Sequence, residues 1–242
     1  MRLIIDVGNT RVKFAVFHFG NLQYKEFAPK DAFISAFNSV RSEYPSISSA
    51  IISSVGKLTS GQKEVVTRKY DTLVLSHEVH LPFYNNYGTP ETLGVDRMAL
   101  MSAAAVQYPN ESVLVIDAGS CITYDFINGH GEYLGGAISP GLRMRYKAMH
   151  GQTKKLPLLE PEIPLDFIGN STANSMHNGV IQGICHELDG IIDQYKNRFK
   201  HLTVILTGGD FHFFAKRLKN SIFANSKFLL EGLNYLLEYN KQ

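Results

Sequence analysis

The hydrophobic positions first alternate and then recur at helical spacing, which predicts strands followed by helices. An apolar run at 3–5 ends in an Asp-x-Gly-Asn-Thr turn at 6–10 and an alternating run follows, so we expect the chain to begin with a β-hairpin. The elements predicted next are a strand at 23–27, a helix at 31–44 capped by Asp31, a strand at 49–53, a helix at 60–70 and a strand at 71–75. This order predicts an α/β layer with a mixed sheet.

A second apolar run, at 113–116, repeats the first. When the chain is shifted by 111 positions, the matched pairs are Leu3 with Leu114, Ile5 with Ile116, Asp6 with Asp117, Gly8 with Gly119 and Gly20 with Gly131. The elements predicted after this run are a strand at 132–138, a helix at 170–199, a strand at 203–206 and helices at 211–218 and 230–238. A shared register and loop length indicate an internal duplication. We therefore expect two related domains, at 1–112 and 113–242.

A mostly apolar helix is predicted between the two copies. Pro90 and Glu91 suit its first turn, Thr89 suits its cap, and its apolar positions continue to Ala105. Asp96 and Arg97 lie inside this segment. Charges in such a place are costly unless they are paired or face a cleft, so the two residues form either a structural ion pair or part of a site.

Composition narrows the classes of protein to consider. The chain has 242 residues, a net charge of +2 and no block of like charges, so we expect no nucleic-acid surface. Cys121 and Cys185 lie far apart, in no pattern typical of a disulfide framework or a zinc site. We find no basic leader and no apolar run long enough for a membrane span, and therefore expect a cytoplasmic protein without a membrane partner.

The turn after the first strand carries groups that suit a phosphate and its magnesium ion. Gly8 allows the backbone to approach a ligand closely, while Asn9 and Thr10 offer hydrogen-bond donors. Asp6 supplies a carboxylate and Lys13 a cation. The alternative is a tight hairpin in which the same residues only satisfy the turn.

The second turn repeats the Asp-x-Gly pattern at Asp117 and Gly119, which suggests two facing domains with a ligand between them. We find no GxxxxGK[ST] sequence and no GxGxxG after a strand, so neither a P-loop nor a Rossmann site is supported. Gly208 and Gly209 lie between a predicted strand and a predicted helix. They form either an ordinary turn or a turn that contacts adenosine.

The duplicated strand-turn-strand units resemble those of the acetate kinase, sugar kinase, Hsp70 and actin superfamily over nearly the full chain. This resemblance implies an α/β fold of two duplicated ribonuclease H-like (actin-like) domains, each a mixed sheet flanked by helices, with the nucleotide cleft between them. Within the superfamily the chain resembles type III pantothenate kinases. The motifs that carry this resemblance are Asp6–Thr10, Gly94–Arg97, Asp117–Ser120, Gly135–Gly141 and Ile168–Thr172. The GxDR sequence at 94–97 is the most specific of them.

This resemblance implies an ATP-dependent kinase that phosphorylates the primary hydroxyl of pantothenate to 4'-phosphopantothenate, the first step of coenzyme A biosynthesis. It implies that Asp96 is the catalytic base and that Arg97 contacts substrate oxygens or the charge that develops in transfer. It also implies a homodimer, magnesium held by Asp6 through water, and a monovalent cation, K⁺ or NH₄⁺, held by Asp117. The ATP-binding residues implied are Asp6, Val7, Gly8, Asn9, Thr10, Arg11, Val12, Lys13, Ser120, Gly208 and Gly209. The pantothenate-binding residues implied are Tyr87, Gly94, Val95, Asp96, Arg97 and Thr172.

The second turn departs from the family's usual Asp-x-Gly-Thr-Ala at Ser120 and Cys121. Serine keeps the hydroxyl group, so we expect ATP binding to survive with a changed affinity. Ser139 stands in a sequence close to a hydrolase nucleophile elbow, but the proline that follows it would remove an oxyanion-hole donor.

Three other functions remain open from the sequence. A kinase for another small alcohol on the same fold is the hardest to exclude. A non-catalytic nucleotide-binding regulatory protein predicts loss of the acidic residues, yet Asp6, Asp96 and Asp117 are all present. A chaperone-like or actin-like module predicts an extra substrate domain or filament insertions, for which 242 residues leave no room.

Overall fold

The structure is a computed structural model that describes residues 1–55 and 58–241. Its contacts divide the chain into two compact units, Met1–Gln107 with Lys227–Gln242, and Tyr108–Ser226. Each unit is built on a mixed sheet flanked by helices, so the predicted α/β fold class is confirmed. None of the helices described in these ranges combines the length and apolar character that a transmembrane segment requires.

The first unit contains a five-stranded sheet in the order β3-β2-β1-β4-β5. Its strands are β1 (Arg2–Val7), β2 (Arg11–His18), β3 (Asn21–Pro29), β4 (Ser49–Ser54) and β5 (Asp71–Val74), and a two-residue strand, β6 (Tyr84–Asn85), follows. Its helices are α1 (Phe33–Glu43), α2 (Ser60–Thr67), α3 (Val95–Gln107) and, from the end of the chain, α6 (Phe228–Tyr239). The first three strands pair antiparallel, whereas β1, β4 and β5 run parallel.

The alternation of β1 directs its side chains to two different layers. Leu3, Ile5 and Val7 belong to the buried cluster that includes side chains of α1 and α2. Asp6 points to the opposite face by the same alternation, and α6 packs against β1 and β4 there. The Asp6 side chain therefore lies on the face of the sheet that packs against α3 and α6.

The last helix belongs to the first unit, which differs from the sequence-based division at 112/113. Gly232 on α6 lies so close to α3 that an added Cβ would collide with the carbonyl group of Ala99. Leu233, Leu236 and Leu237 on α6 are fully buried. Burial of this apolar face against α3 and β1 is the physical reason that α6 joins the first half of the chain.

The second unit repeats the architecture, with strands in the order β11-β10-β7-β8-β9. Its strands are β7 (Ser112–Ala118), β8 (Cys121–Ile127), β9 (Glu132–Pro140), β10 (Leu202–Thr207) and β11 (Phe223–Ala224). Its helices are α4 (Leu142–Gln152) and α5 (Thr172–Arg198). The side chains of β7 and β8 that face α5 form its buried core, together with Met176, Val180, Ile181, Ile184 and Leu188.

The backbone confirms the duplication in detail. A register shift interrupts the β2–β3 pairing between Val16 and Phe17, and one interrupts the β8–β9 pairing between Phe126 and Ile127. The next loop of each copy holds a glycine with positive φ, +78° at Gly20 and +74° at Gly131. Independent hairpins would not share a bulge and a left-handed glycine at matching places.

Two predictions about the long helices are confirmed and one about capping is wrong. The helix predicted at 170–199 is α5, and the helix predicted at 230–238 is α6. Helix α1 follows Ala32, and no side chain caps it, so Asp31 is not its cap. The backbone N–H groups of Ala32 and Phe33 instead donate to the carbonyl groups of Pro29 and Lys30, which closes the turn before the helix.

Three other helix predictions need correction. The segment predicted as a helix at 211–218 forms only a short 3-10 turn, Phe211–Phe213. The helix predicted to start at Pro90 is interrupted, because Pro90–Thr92 is a separate 3-10 turn and Leu93 is extended before α3 begins at Val95. Thr89 does not cap that turn with its side chain. Helix α4 was not predicted.

Candidate active site

The first turn is a hairpin that leaves its polar tip exposed. The Gly8 N–H donates to the Arg11 carbonyl at 3.0 Å and so closes the turn. Asn9, Thr10 and Arg11 are exposed, while Val7 and Val12 anchor the ends of the two strands in the core. The stretch is a hairpin, as both interpretations require, and its geometry keeps its donors accessible to a ligand.

A row of polar side chains crosses the sheet at the level of Asp6. Lys13 stands directly opposite Asp6 on β2, and its Nζ donates to Asp6 Oδ2 at 2.9 Å. Ser53 stands beside Asp6 on the parallel strand β4. Asp6 is 3% exposed, so the Lys13 ammonium group offsets much of the cost of burying its charge.

A corresponding row of polar side chains crosses the sheet of the second unit, but the residues on either side of the aspartate are different. Asp117 on β7 stands opposite Thr123 on β8 and beside Thr207 on β10. The second turn is also one residue shorter, because Gly119 N–H donates to the carbonyl of Cys121, two residues on, at 3.0 Å. Thr123 therefore occupies the place that Lys13 occupies in the first unit.

The first of the two glycines after β10, Gly208, lies directly against the second turn. Gly208 has φ of +100°, and an added Cβ there would collide with the Ala118 carbonyl and the Asp117 carboxylate. The Asp210 N–H donates to the Ala118 carbonyl at 2.9 Å. The structure thus brings Asp117 together with Gly208, one of the two glycines that the sequence pattern singled out.

Helix α4 begins against the same turn. An added Cβ at Gly141, which precedes α4, would collide with the carbonyl oxygens of Gly119 and Ser120. Arg143, in the first turn of α4, donates from Nη1 to Asp210 Oδ1 at 2.5 Å. Neither the helix nor Arg143 was predicted from the sequence, because the charged residues between the apolar positions of α4 obscure its helical pattern.

Arg145, two residues further along α4, anchors a half-buried network. Its Nη2 donates to Glu187 Oε2 on α5 at 2.5 Å and to Ser139 Oγ at 3.0 Å, and its Nε donates to the Pro140 carbonyl at 2.9 Å. The Tyr124 hydroxyl donates to Glu187 Oε1 at 2.7 Å. The Ser139 hydroxyl therefore accepts a hydrogen bond from an arginine. This arrangement is not that of the hydrolase nucleophile that the sequence around Ser139 resembles.

The electrostatics of this network follow from burial and hydrogen bonding. Burial would raise the pKa of Glu187, but hydrogen bonds from Arg145, Ser139 and Tyr124 outweigh it, so the pKa lies below its usual value. Burial raises the pKa of Tyr124, and its hydrogen bond to Glu187 raises it further. Glu187 is therefore a carboxylate and Tyr124 a neutral donor at neutral pH.

The GxDR segment forms the start of α3 in the first unit. The Asp96 Oδ1 accepts the backbone N–H of Arg97 at 2.9 Å. It folds back over Gly94, where an added Cβ would lie 2.5 Å away from it. Arg97 is 5% exposed, and its guanidinium carbon lies 5.4 Å from the centre of the Tyr87 ring. The structure therefore brings four of the predicted substrate residues together: Tyr87, Gly94, Asp96 and Arg97.

Thr172 is the first residue of α5. Ser171 caps this helix by accepting the Asn174 N–H at 3.2 Å, which leaves the Thr172 side chain exposed. Ile168, just before it, is 67% exposed. The structure gives Thr172 an accessible place in the second unit, and its predicted contact with pantothenate stays a prediction.

Two buried hydroxyl groups lie next to the turn carboxylates and could help to bind a cation at each turn. Ser53 Oγ and Thr123 Oγ1 have no hydrogen-bond partner within the described parts of the chain, and each stands beside one of the two turn carboxylates. In the same ranges, no three His, Cys, Asp or Glu side chains converge as a metal site. One carboxylate with hydroxyl groups, water and phosphate oxygens is the donor set that suits magnesium on a nucleotide.

Comparison with known proteins agrees with these motifs. The family model described as type III pantothenate kinase matches residues 2–194. A type III pantothenate kinase from Flavobacterium johnsoniae is 47% identical over 240 residues, which cover 99% of this chain and 98% of that relative.

Solved structures show that the fold is shared more widely. A Campylobacter jejuni protein provisionally described as a Baf family transcriptional activator is 22% identical, with a TM-score of 0.63 over 99% of this chain and 98% of that one. A Listeria monocytogenes protein provisionally described as an N-acetylmannosamine kinase is 13% identical, with a TM-score of 0.54 over 100% and 99% of the two chains. At these identities the likeness describes the fold alone. From the family model and the curated relative, the chain belongs to the type III pantothenate kinase family.

Proposed function

We propose that this protein transfers the γ-phosphoryl group of ATP to the primary hydroxyl of pantothenate and so forms 4'-phosphopantothenate, the first step of coenzyme A biosynthesis. The observation that carries this proposal is the GxDR segment at the start of α3, where Asp96, Arg97 and Tyr87 lie together. An exposed turn that suits phosphate, at Asn9 and Thr10, supports the nucleotide half of the reaction.

Asp96 is the proposed catalytic base. Its carboxylate accepts the proton of the attacking hydroxyl, while its hydrogen bond from the Arg97 N–H fixes its orientation. Phosphoryl transfer has a loose transition state that asks only modest help from a base, so correct placement of the alcohol matters as much as proton removal. The buried Arg97 supplies a fixed positive charge for substrate oxygens or for the charge that develops during transfer.

The two turns are proposed to hold the nucleotide. Backbone and side-chain donors from Gly8 to Arg11, with Lys13, bind its phosphate oxygens. Magnesium, when bound, neutralises charge on these phosphates, and Asp6 is the residue proposed to hold it through water. Ser120 and the Gly208–Gly209 turn are proposed to contact ATP from the second unit. Gly208 packs against Ala118 and Asp117, whereas Gly209 has open space beside its Cα, which supports an approach of the ligand there.

The monovalent cation is proposed to bind at Asp117. The corresponding carboxylate of the first unit, Asp6, is paired with Lys13, whereas the residue opposite Asp117 is the neutral Thr123. The hydroxyl group of Thr123 supplies a neutral oxygen next to the carboxylate, and such oxygens suit an added cation, K⁺ or NH₄⁺. Turnover should fall at least severalfold when Na⁺ replaces K⁺ at equal ionic strength; equal rates in the two salts would argue against this assignment.

A homodimer and a cytoplasmic location complete the proposal. Helices α3 and α5 bury their apolar faces inside their own units. The segment 158–168 instead exposes a group of large apolar side chains, namely Leu158, Ile163, Leu165, Phe167 and Ile168. Such a group suits contact with a second copy of the chain. Light scattering should report a dimer, and Phe167→Glu should shift it toward monomer.

A coupled assay of ADP release tests the activity. With ATP, Mg²⁺ and K⁺, we expect ADP release to depend on pantothenate and to follow saturation kinetics. No pantothenate-dependent turnover would overturn the proposal. A kinase for another small alcohol would give higher kcat/KM with a different member of an alcohol panel, and a regulatory nucleotide-binding protein would bind ATP without turnover of any alcohol.

A further inference from the structure

Two buried hydroxyl groups stand next to the two turn carboxylates, and neither has a hydrogen-bond partner in the described parts of the chain. Ser53 is fully buried and lies beside Asp6, on the parallel strand β4. The Oγ1 of Thr123 is buried and lies opposite Asp117, on the antiparallel strand β8. A buried hydroxyl without a partner destabilises the folded state, so each of them calls for an explanation.

Their positions point to a common explanation. Neighbouring strands lie about 4.8 Å apart, and residues paired across them direct their side chains to the same face. Each hydroxyl therefore lies on the same face of the sheet as a carboxylate, directly across from it on the neighbouring strand. A single water molecule or cation can bridge two groups at this spacing. The arrangement occurs once in each unit, although different strands supply the hydroxyl.

We propose that Ser53 and Thr123 are positioning residues that complete the cation sites at Asp6 and Asp117. Ser53 Oγ accepts a hydrogen bond from a water held by the cation at Asp6, and Thr123 Oγ1 directs a lone pair toward the cation at Asp117. The inference rests on the proposed function for the presence of these two cations. Partners of this kind commonly change metal affinity 10- to 100-fold when they are removed.

The neighbours of each hydroxyl predict which cation it serves. The Asp6 row already contains the Lys13 ammonium group, so its cation takes most of its ligands from water and phosphate, as magnesium does. The Asp117 row contains the neutral Thr123 and Thr207, whose hydroxyl oxygens suit a monovalent cation. Ser53 therefore belongs with the divalent ion and Thr123 with the monovalent one.

The test compares Ser53→Ala with Thr123→Val, and each variant controls for the other. Binding of Mn²⁺ to the protein with ADP, followed by electron paramagnetic resonance, reports the site at Asp6. Binding of Tl⁺, followed by ²⁰⁵Tl NMR and displaced by K⁺, reports the site at Asp117. We expect Ser53→Ala to weaken Mn²⁺ about tenfold with Tl⁺ unchanged, and Thr123→Val to weaken Tl⁺ about tenfold with Mn²⁺ unchanged.

Stability separates this role from plain packing. Both substitutions remove an unpaired buried hydroxyl, so without added cations each variant should have a Tm at least equal to that of the wild type. Ser49→Ala, a buried serine at the other end of β4, should change neither cation affinity. Thr123→Ser, which keeps the hydroxyl, should retain Tl⁺ binding, and Ser53→Gly offers a second variant that lacks the group without adding bulk.

Unchanged affinity for both cations in Ser53→Ala and Thr123→Val would overturn the inference, whatever the Tm. Equal weakening of both cations by both variants would also overturn it, because it would indicate a general structural change. Neither readout needs pantothenate, so a protein that fails to phosphorylate pantothenate but shows the expected separation of Mn²⁺ and Tl⁺ effects would refute the proposed function alone.

Discussion

Asp6 and Asp117 occupy matching places in the two copies but differ in their neighbours. The cationic Lys13 stands opposite the first, and the neutral Thr123 stands opposite the second. A single residue on the second strand of each hairpin therefore changes the electrostatics of an otherwise repeated turn. This difference is the reason that we propose a different ion for each of the two turns.

Asp96 is the residue on which the chemical step is predicted to depend. We expect Asp96→Asn to lower kcat at least a hundredfold, because a general base contributes about 10²- to 10⁴-fold and asparagine cannot take a proton. Its amide oxygen can still accept the Arg97 N–H, so ATP affinity and Tm should remain near those of the wild type. Steady-state kinetics with calorimetric titration of ATP measure both quantities.

Glu91→Gln is the matched control, since Glu91 is an exposed acid in the 3-10 turn just before α3. It should leave kcat unchanged. A loss of ATP binding in Asp96→Asn, or an equal loss of kcat in the control, would assign Asp96 a structural role instead.

Sequence predicted the residues of the site where local pattern carries them. The Asp-x-Gly turns and the GxDR segment are short, and a few consecutive residues are enough to suggest their chemistry. Ser53, Thr123 and Arg143 were missed, because their roles depend on which residue stands beside them across a sheet or between elements. A local sequence pattern does not predict which residues stand opposite each other on neighbouring strands.

At the scale of elements, the crossing of α3 and α6 depends on one glycine. Gly232→Ala should cost about 1–3 kcal/mol of unfolding free energy, because the new methyl group meets the Ala99 carbonyl and forces the helices apart. Chemical denaturation measures this loss.

Gly190→Ala on α5 is the matched control. It should stabilise the protein by about 0.5–1 kcal/mol, because nothing lies within 4 Å of the added atom and alanine favours a helix. Effects of the same sign in the two variants would contradict the packing described for α3 and α6.

The network around Glu187 joins β8, β9, α4 and α5, and it should make stability depend on pH. We expect Glu187→Gln to cost about 1–3 kcal/mol near pH 7, because it weakens a charge-assisted hydrogen bond. The pKa of Glu187 is lower in the folded state than its ordinary value of 4.5, so its contribution is fully present above that value. The contribution is lost as pH falls through the folded-state pKa.

Denaturation of wild type and Glu187→Gln between pH 7 and pH 3 checks this sign. The difference between them should shrink below pH 4.5. Glu64→Gln removes an exposed i,i+4 pair with Arg68 on α2 and should cost at most about 0.5 kcal/mol at any pH. A Glu187 effect that is constant with pH, or one no larger than that of Glu64, would contradict the network.

Sequence predicted the elements well where the apolar period was long and poorly where it was short. Helix α5 has many turns of periodic apolar residues and was predicted nearly to its ends. Helix α4 begins Leu-Arg-Met-Arg-Tyr-Lys, where charges between the apolar residues obscure the stripe. At 211–218 the pattern predicted a helix, but the structure closes only one 3-10 turn there.

At the scale of the whole molecule, the sequence predicted the duplication but not the unit to which the last helix belongs. The repeat of apolar strand, Asp-x-Gly turn and loop glycine at a shift of 111 positions predicted two related halves, and the matching bulges in the structure agree with it. Helix α6 follows the second copy in sequence, yet its packing partner, α3, lies at the end of the first copy. Only the close approach of Gly232 to Ala99 reveals this, and such a contact leaves no periodic signal.

The central claim is that this chain phosphorylates pantothenate, and the product tests it most directly. Protein incubated with ATP, Mg²⁺, K⁺ and pantothenate should yield pantothenate heavier by one phosphoryl group in mass spectrometry, with a phosphomonoester signal in ³¹P NMR and one ADP per product. Asp96→Asn under the same conditions should yield almost none. ADP release that is the same with and without pantothenate, or phosphorylation of another alcohol with higher kcat/KM, would contradict the claim.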